Sequence, residues 1–362
     1  MQTQSPTSAG KVPMLSLVVA SYQRAKPLEV LLQRLSEQTL DKSLWEVIIA
    51  VDGSTDETLE VLKRWASVNS LPLKYFYQVN QGQSVARHQG IERALGSRII
   101  IIDDDMEPSA SFLEGHLKAG ALDPEHIVTI GKVVPQENWR AMPLYEVVRE
   151  DFMASLHAGL EKGAEPSATS FITQNVAFPK ALYTAVGGFD PALRLDEDRE
   201  LGMRLERAGG VFRFAEDASA IHRSAVGSYT KWKTRQYDYG HFGVQVWKKH
   251  GQDPLLHPLR NFIAGSRLNR LLVQMAAPVG FVGHGVTSAL RWTGEGLRVI
   301  GSIRGGIAAH KAIIALQYHL GVKDAFGGWS ALKREEALLL ADPGRPLEPT
   351  ARGKTLGRKA GE

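Results

Sequence analysis

Cysteine is absent from all 362 residues, which excludes disulfides, thiolate metal sites and thiol nucleophiles together. Such a chain suits a reducing cytoplasm. A strong excess of one charge is also missing. The 43 Lys and Arg against 39 Asp and Glu leave a formal charge of +4, with the signs mixed along most of the sequence. No phosphate-binding stripe stands out in the first two hundred residues, so no nucleic-acid partner is expected. A clean membrane span is lacking too. Leu271 to Leu290 carries no Asp, Glu, Lys or Arg, but Gln274, Pro278, three glycines and His284 interrupt it. A packed helical pair, or a peripheral contact at a membrane surface through 267–320, suits it better. The residues after the first apolar run contain no G-x-G-x-x-G, which argues against a dinucleotide oxidoreductase. Ala20 to Arg24 holds no glycine, which argues against a nucleotidyltransferase.

What is present is a regular alternation. Leu15–Ala20, Trp45–Val51, Leu73–Tyr77 and Arg98–Ile102 read as buried strands, separated by helical patterns at 27–35, 55–66 and 83–95. This predicts an α/β class with a Rossmann-like, mostly parallel sheet and flanking helices. Strands at 127–134, 170–177 and 211–214 follow, with helices at 144–158, 180–186 and 197–208. The domain is expected over 13–225, after a disordered lead-in at 1–12. A C-terminal helical extension, membrane-associated or simply packed, is expected over 226–340, and a disordered tail over 341–362.

The chemistry-bearing residues cluster after the strands. Asp103, Asp104 and Asp105 directly follow four isoleucines, and adjacent carboxylates raise one another's pKa unless a cation or donors neutralise them. Strand C-termini of open α/β sheets are where ligands bind. Hard divalent ions such as Mg²⁺ or Mn²⁺ take oxygen ligands there and bridge to diphosphates. The competing reading is a solvated acidic turn before a helix opened by Pro108. Asp52 ends the second strand and can accept a nucleobase N–H; alternatively it belongs to a turn capped by Ser54 or Thr55. Arg87 lies in the helix opened by Gly82, near a ligand or simply exposed. Asp196, Glu197 and Asp198 open a further helix, as dipole complements or with one carboxylate as a general base.

In their order and spacing these residues resemble the inverting glycosyltransferases of family 2, which have the GT-A fold. Val18 to Arg24 is similar to that family's first nucleotide-binding loop, with Ala20, Tyr22 and Arg24 toward the donor. Ala20-Ser21-Tyr22 stands where Pro-x-Tyr/Phe-Asn is commoner. Val51 to Asp56 resembles its DGS-x-D segment, whose first aspartate, here Asp52, contacts the base. Gly82 to Gly90 matches the stretch that puts an arginine, here Arg87, beside the donor. Asp103 to Asp105 matches the DxD motif, implying Asp105 as metal ligand, Asp103 on ribose or metal, and Asp104 on the donor side. Gly187 to Asp190 matches the acceptor-side glycine loop, and Glu197-Asp198 the ED motif, implying Asp198 as base. His222 falls at the place of a late histidine metal ligand. Arg235, among the basic and aromatic residues from Lys231 to Tyr239, is the preferred lid residue over the diphosphate.

The resemblance covers Leu15 to His222. It implies inverting, Mg²⁺- or Mn²⁺-assisted transfer from a nucleotide-diphospho-sugar, a UDP-sugar favoured. The acceptor would be a sugar, a glycan or a lipid-linked group, in bacterial polysaccharide or glycolipid synthesis. The protein would be cytoplasmic or peripheral at the inner face of the cell membrane. A non-catalytic nucleotide-sugar-binding scaffold is the alternative.

Overall fold

The structure is a computed structural model describing residues 12–68, 71–224, 227–251, 256–263, 266–278 and 280–341. The expected disordered lead-in and tail lie almost wholly outside those residues. Two compact units are present. One is built from the described parts of Met1–Gln136 and Leu156–Ser224, the other from Glu137–Ser155 and Ala225–Glu362. The segment 137–155, read from sequence as part of the α/β domain, therefore groups with the C-terminal helices.

The first unit is an eight-stranded sheet with β1 Leu15–Ser21, β2 Trp45–Asp52, β3 Leu73–Gln78, β4 Arg98–Ile102, β5 Met106–Pro108, β6 Ile127–Pro135, β7 Asn175–Pro179 and β8 Val211–His222. Their order across the sheet is β3-β2-β1-β4-β7-β6-β8-β5. β3, β2, β1 and β4 are mutually parallel. β7 is antiparallel to β4 and to β6, and β8 runs parallel to β6. β1, β2 and β4 are buried along almost their whole length and mostly apolar because helices cover both faces of a parallel sheet. In α1 (Ala25–Ser36), Leu28, Leu31, Leu32 and Leu35 repeat at helical spacing and are wholly buried. Each such side chain contributes about 1.5–3 kcal/mol by leaving water.

Helices α2 (Thr58–Val68), α3 (Gln83–Glu92) and α4 (Phe112–Gly120) follow; α5 (Leu144–Glu161) runs through residues of both units, and α6 (Lys180–Ala185) and α7 (Glu197–Arg207) complete the first unit. Several boundaries differ from the sequence reading. α2 begins at Thr58 rather than Thr55, because the Asp56 carboxylate accepts the Thr58 N–H and Ser54 instead accepts the backbone N–H of Gln23. Pro108 closes the short strand β5 and opens no helix; α4 starts four residues later. The strand read at 170–177 begins at Asn175, after a 3-10 turn at Ala168–Ser170 whose start is fixed by Ser167 accepting the Thr169 N–H. β8 is three times longer than the stretch 211–214 and ends on His222.

The second unit is helical: α8 Tyr229–Lys249, α9 Arg260–Ile263, α10 Arg267–Ala276, α11 Gly280–Val299, α12 Ile303–Ala325 and α13 Trp329–Ala341. The apolar stretch at 271–290 is thus divided between α10 and α11. Among the described residues, no helix is long and apolar enough to cross a membrane. α8 and α12 meet backbone to backbone, because Gly240 lies against the Tyr318 carbonyl and Gly321 against that of Tyr237. A Cβ at either position would collide with main chain, so glycine is required for this approach.

Candidate active site

Four of the sequence-predicted segments converge at the C-terminal ends of β1, β2 and β4. The loop after β1 is fixed by Gln23, which sits in the left-handed region at φ 56°. Its side-chain amide donates to the Thr55 hydroxyl at 2.8 Å, and its carbonyl oxygen accepts the N–H groups of Thr55 and Asp56. Asp56 in turn accepts the Ala25 N–H. The first two predicted loops are therefore one hydrogen-bonded piece, and Gln23 is a residue that sequence reasoning left without a role.

Asp52 is 3% exposed and holds the loop before α3. Its carboxylate accepts the backbone N–H groups of Gln81 and Gly82 at 2.9 Å each, and the Gln78 amide at 2.8 Å. Gly53 (φ 81°) admits no side chain because Asn80 presses on it. Tyr22 is half exposed and Ala20 partly buried beside this framework.

Arg87 is buried at 3% exposure, which excludes the exposed-helix reading. One of its terminal nitrogens donates to Asp103 at 2.7 Å and the other reaches Glu197 at 3.4 Å. Gln83, one turn earlier, donates to the same Glu197 oxygen at 2.5 Å. The acidic turn after β4 and the acidic start of α7 are 94 residues apart in sequence, yet they share one guanidinium. Gln83 was missed; its place at the first position of α3, on the side of Arg87, was the available signal.

The three aspartates have different surroundings. Asp104 is buried and accepts the Ser21 hydroxyl at 2.7 Å; burial pushes its carboxyl up to about 7 against that hydrogen bond, with Asp105 adding repulsion. Asp105 faces Arg24 at 3.7 Å through one oxygen and the His222 Nε2 at 3.8 Å through the other. The strand pairing explains the second approach: β5 is antiparallel to β8 with Met106 opposite His222, and the Arg223 N–H donates to the Asp105 carbonyl. His222 is 1% exposed. Among the described residues no group of three or more Asp, Glu or His side chains is gathered to hold an ion. Asp105 and His222 make a pair.

α7 begins after Asp196, a non-glycine residue at φ 65°. Glu197 is buried and Asp198 partly buried. Burial, together with the neighbouring carboxyls of Glu197 and Asp196, pushes Asp198 up to about 7. Of the glycine loop before it, Gly187 and Gly188 take positive φ, and Phe189 donates its N–H to the buried Tyr183 hydroxyl. Arg235 lies in α8 of the other unit, in a continuous helix rather than a loop; its Nε donates to the Tyr239 hydroxyl at 3.2 Å.

This sheet order, with acidic residues after β2 and β4, defines an α/β domain of the GT-A type. The family model "Glycosyl transferase family 2" matches residues 16–180, so this stretch is similar to the family 2 glycosyltransferases. Validoxylamine A glucosyltransferase of Streptomyces hygroscopicus subsp. jinggangensis is 28% identical over 230 residues, 56% of this chain and 54% of that protein. Chondroitin synthase of Escherichia coli is 27% identical over 245 residues, 59% of this chain and 35% of that one. The chain therefore spans about half, or less, of the length of these relatives. Among solved structures, the mannosyltransferase PcManGT of Pyrobaculum calidifontis, in complex with GDP-Man and Mn²⁺, superposes with a TM-score of 0.59 at 21% identity. That match covers 85% of this chain and 87% of the other. TarS residues 1–349 of S. aureus with UDP-GlcNAc gives 0.55 at 17% identity, covering 87% and 92%.

Proposed function

We propose that the protein transfers a sugar from a nucleotide-diphosphate donor to an acceptor hydroxyl with inversion at the anomeric carbon. The observation that carries this reading is the Arg87 bridge between Asp103 and Glu197, which joins the donor-side carboxylates to those at the start of α7. Asp52 and the loop holding Ala20, Tyr22 and Arg24 are assigned to the nucleoside, with Asp103 and Asp104 toward ribose and phosphate.

A divalent ion fits Asp105 and His222. At 3.8 Å the two donor atoms can both lie about 2.0–2.2 Å from one cation. The remaining positions would fall to diphosphate and water, and the imidazole favours Mn²⁺ over Mg²⁺. When bound, the ion supplies Lewis-acid stabilisation of the leaving diphosphate. Asp198 takes the proton of the acceptor hydroxyl. The acceptor oxygen forms its bond to the anomeric carbon while the bond from that carbon to the diphosphate oxygen breaks on the opposite face. One displacement inverts the centre, and the nucleoside diphosphate leaves with the bonding electrons. Glu197, held by Gln83 and Arg87, keeps α7 aligned for this transfer. A glycan or a lipid-linked sugar of bacterial envelope synthesis is the acceptor this reading assigns.

Screening nucleotide-sugars by thermal shift tests the reading. The true donor, a UDP-sugar by preference, raises the melting temperature in Mn²⁺ and much less in chelator. At 100 times its Kd it adds about 2.7 kcal/mol to the stability of the folded state. It is then slowly hydrolysed, releasing nucleoside diphosphate. Binding without any release of diphosphate, even with a broad acceptor panel, would establish the scaffold reading instead.

A further inference from the structure

We infer that the helical unit carries a docking face for an anionic lipid surface, formed by the outer sides of α10 and α11. These two helices invert what a helix usually buries. In α10 the buried residues are the small Val273 and Ala276, with Ala277 just beyond, whereas Leu268 is 72%, Leu271 54% and Met275 69% exposed. These three recur at i, i+3 and i+7, so they share one side of the helix. α11 repeats the arrangement. Gly283, Thr287 and Gly294 point inward, while Trp292 is 73% exposed and Val299 and Ile300, at its end, are 85% and 77% exposed. The inner sides of both helices pack on Leu316 and Leu320 of α12, in one cluster with Val282 and Val286. Both apolar outer sides therefore turn away from α12.

Charge selects the occupant. Residues 1–226 hold 23 Lys and Arg against 30 Asp and Glu, whereas residues 227–362 hold 20 against 9. All of the chain's positive excess thus lies in the C-terminal stretch that displays the apolar face. Exposed Arg267 starts α10, Arg291 sits beside Trp292, and exposed Arg304 follows Ile300 by one turn. Large apolar side chains and a tryptophan rimmed by arginines fit a shallow insertion at the headgroup level of an anionic bilayer. The apolar groups enter the acyl boundary and the guanidinium groups meet phosphate. A second copy of the chain would bring the same rim of arginines against itself, which opposes self-association through this face.

Vesicle co-sedimentation of the full chain tests the inference, with phosphatidylcholine alone or mixed with phosphatidylglycerol. The protein is expected to bind the anionic vesicles and to leave them at high salt. Leu268→Ser/Leu271→Ser/Met275→Ser should weaken that binding about tenfold or more, as should Arg267→Gln/Arg291→Gln/Arg304→Gln. The melting temperature of the apolar variant should stay near that of the parent, because its changed side chains are exposed, and that of the arginine variant should fall by no more than a few degrees, since Arg291 also lies over the Tyr229 ring at 4.0 Å. Equal binding by the variants, or equal binding to neutral vesicles, would overturn the inference. So would a dimer, seen by sedimentation velocity, that the apolar variant alone dissolves; that result would assign the face to a second copy.

Discussion

Asp198→Asn is expected to lower kcat for sugar transfer by roughly 10²–10⁴-fold, the usual weight of a general base. Metal-dependent nucleotide binding should stay within a few fold, because Asn keeps the size of the side chain and its place at the start of α7. The pH profile carries the sharper signature. Burial and the Glu197 and Asp196 carboxyls hold Asp198 up to about 7, well above an ordinary carboxyl. The base works only when ionised. Transfer should therefore rise as pH climbs toward 7, level off above it, and lose that limb in the Asn variant. The same shift has the opposite sign for folding. Between about pH 4 and 7 the unfolded chain has already released this proton while the folded one retains it, so the contribution to stability falls as pH rises. Wild-type-like turnover by Asp198→Asn would remove this residue from the base role.

Arg87→Ala should be the most damaging change to the framework. The guanidinium is buried and neutralises carboxylates from two elements, so its loss takes one positive charge away from both buried Glu197 and Asp103. Breaking a buried pair from one side costs about 3–5 kcal/mol. At about 2–4 °C per kcal/mol for a domain of this size, the melting temperature should fall on the order of 10 °C. Adding Glu197→Gln should recover part of that loss, since the stranded charge is removed. Equal melting of the single and double variants would show that Arg87 is not serving this electrostatic role.

The layered fold was legible because its signal is local. Runs such as Ile99 to Ile102 between helical patterns specify a parallel sheet buried on both faces. The acidic groups were legible for the same reason, each lying next to the end of a strand or the start of a helix. What sequence could not display was pairing at long range. The strand β5 is three residues long, and only its partner β8 makes it a strand; that pairing brings Asp105 to His222. Arg87 looked like a surface residue because helix periodicity around it is weak, and its burial depends on carboxylates 16 and 110 residues away. Gln23 fixes its loop through partners more than 30 residues distant. The segment 137–155 joins the helical unit partly through Met142 and Val147, which pack with Ile303 and Ile307 far along the chain.

Calorimetric titration of the nucleoside diphosphate into the parent chain and Asp105→Ala, each with Mn²⁺ and with chelator, tests most directly whether separated side chains grip one cation and its diphosphate. The parent should bind about tenfold or more tightly with the ion than without it, and Asp105→Ala should bind alike in both conditions, near the parent's value in chelator. A parent indifferent to Mn²⁺, or an Asp105→Ala chain weakened as much in chelator as in metal, would contradict it.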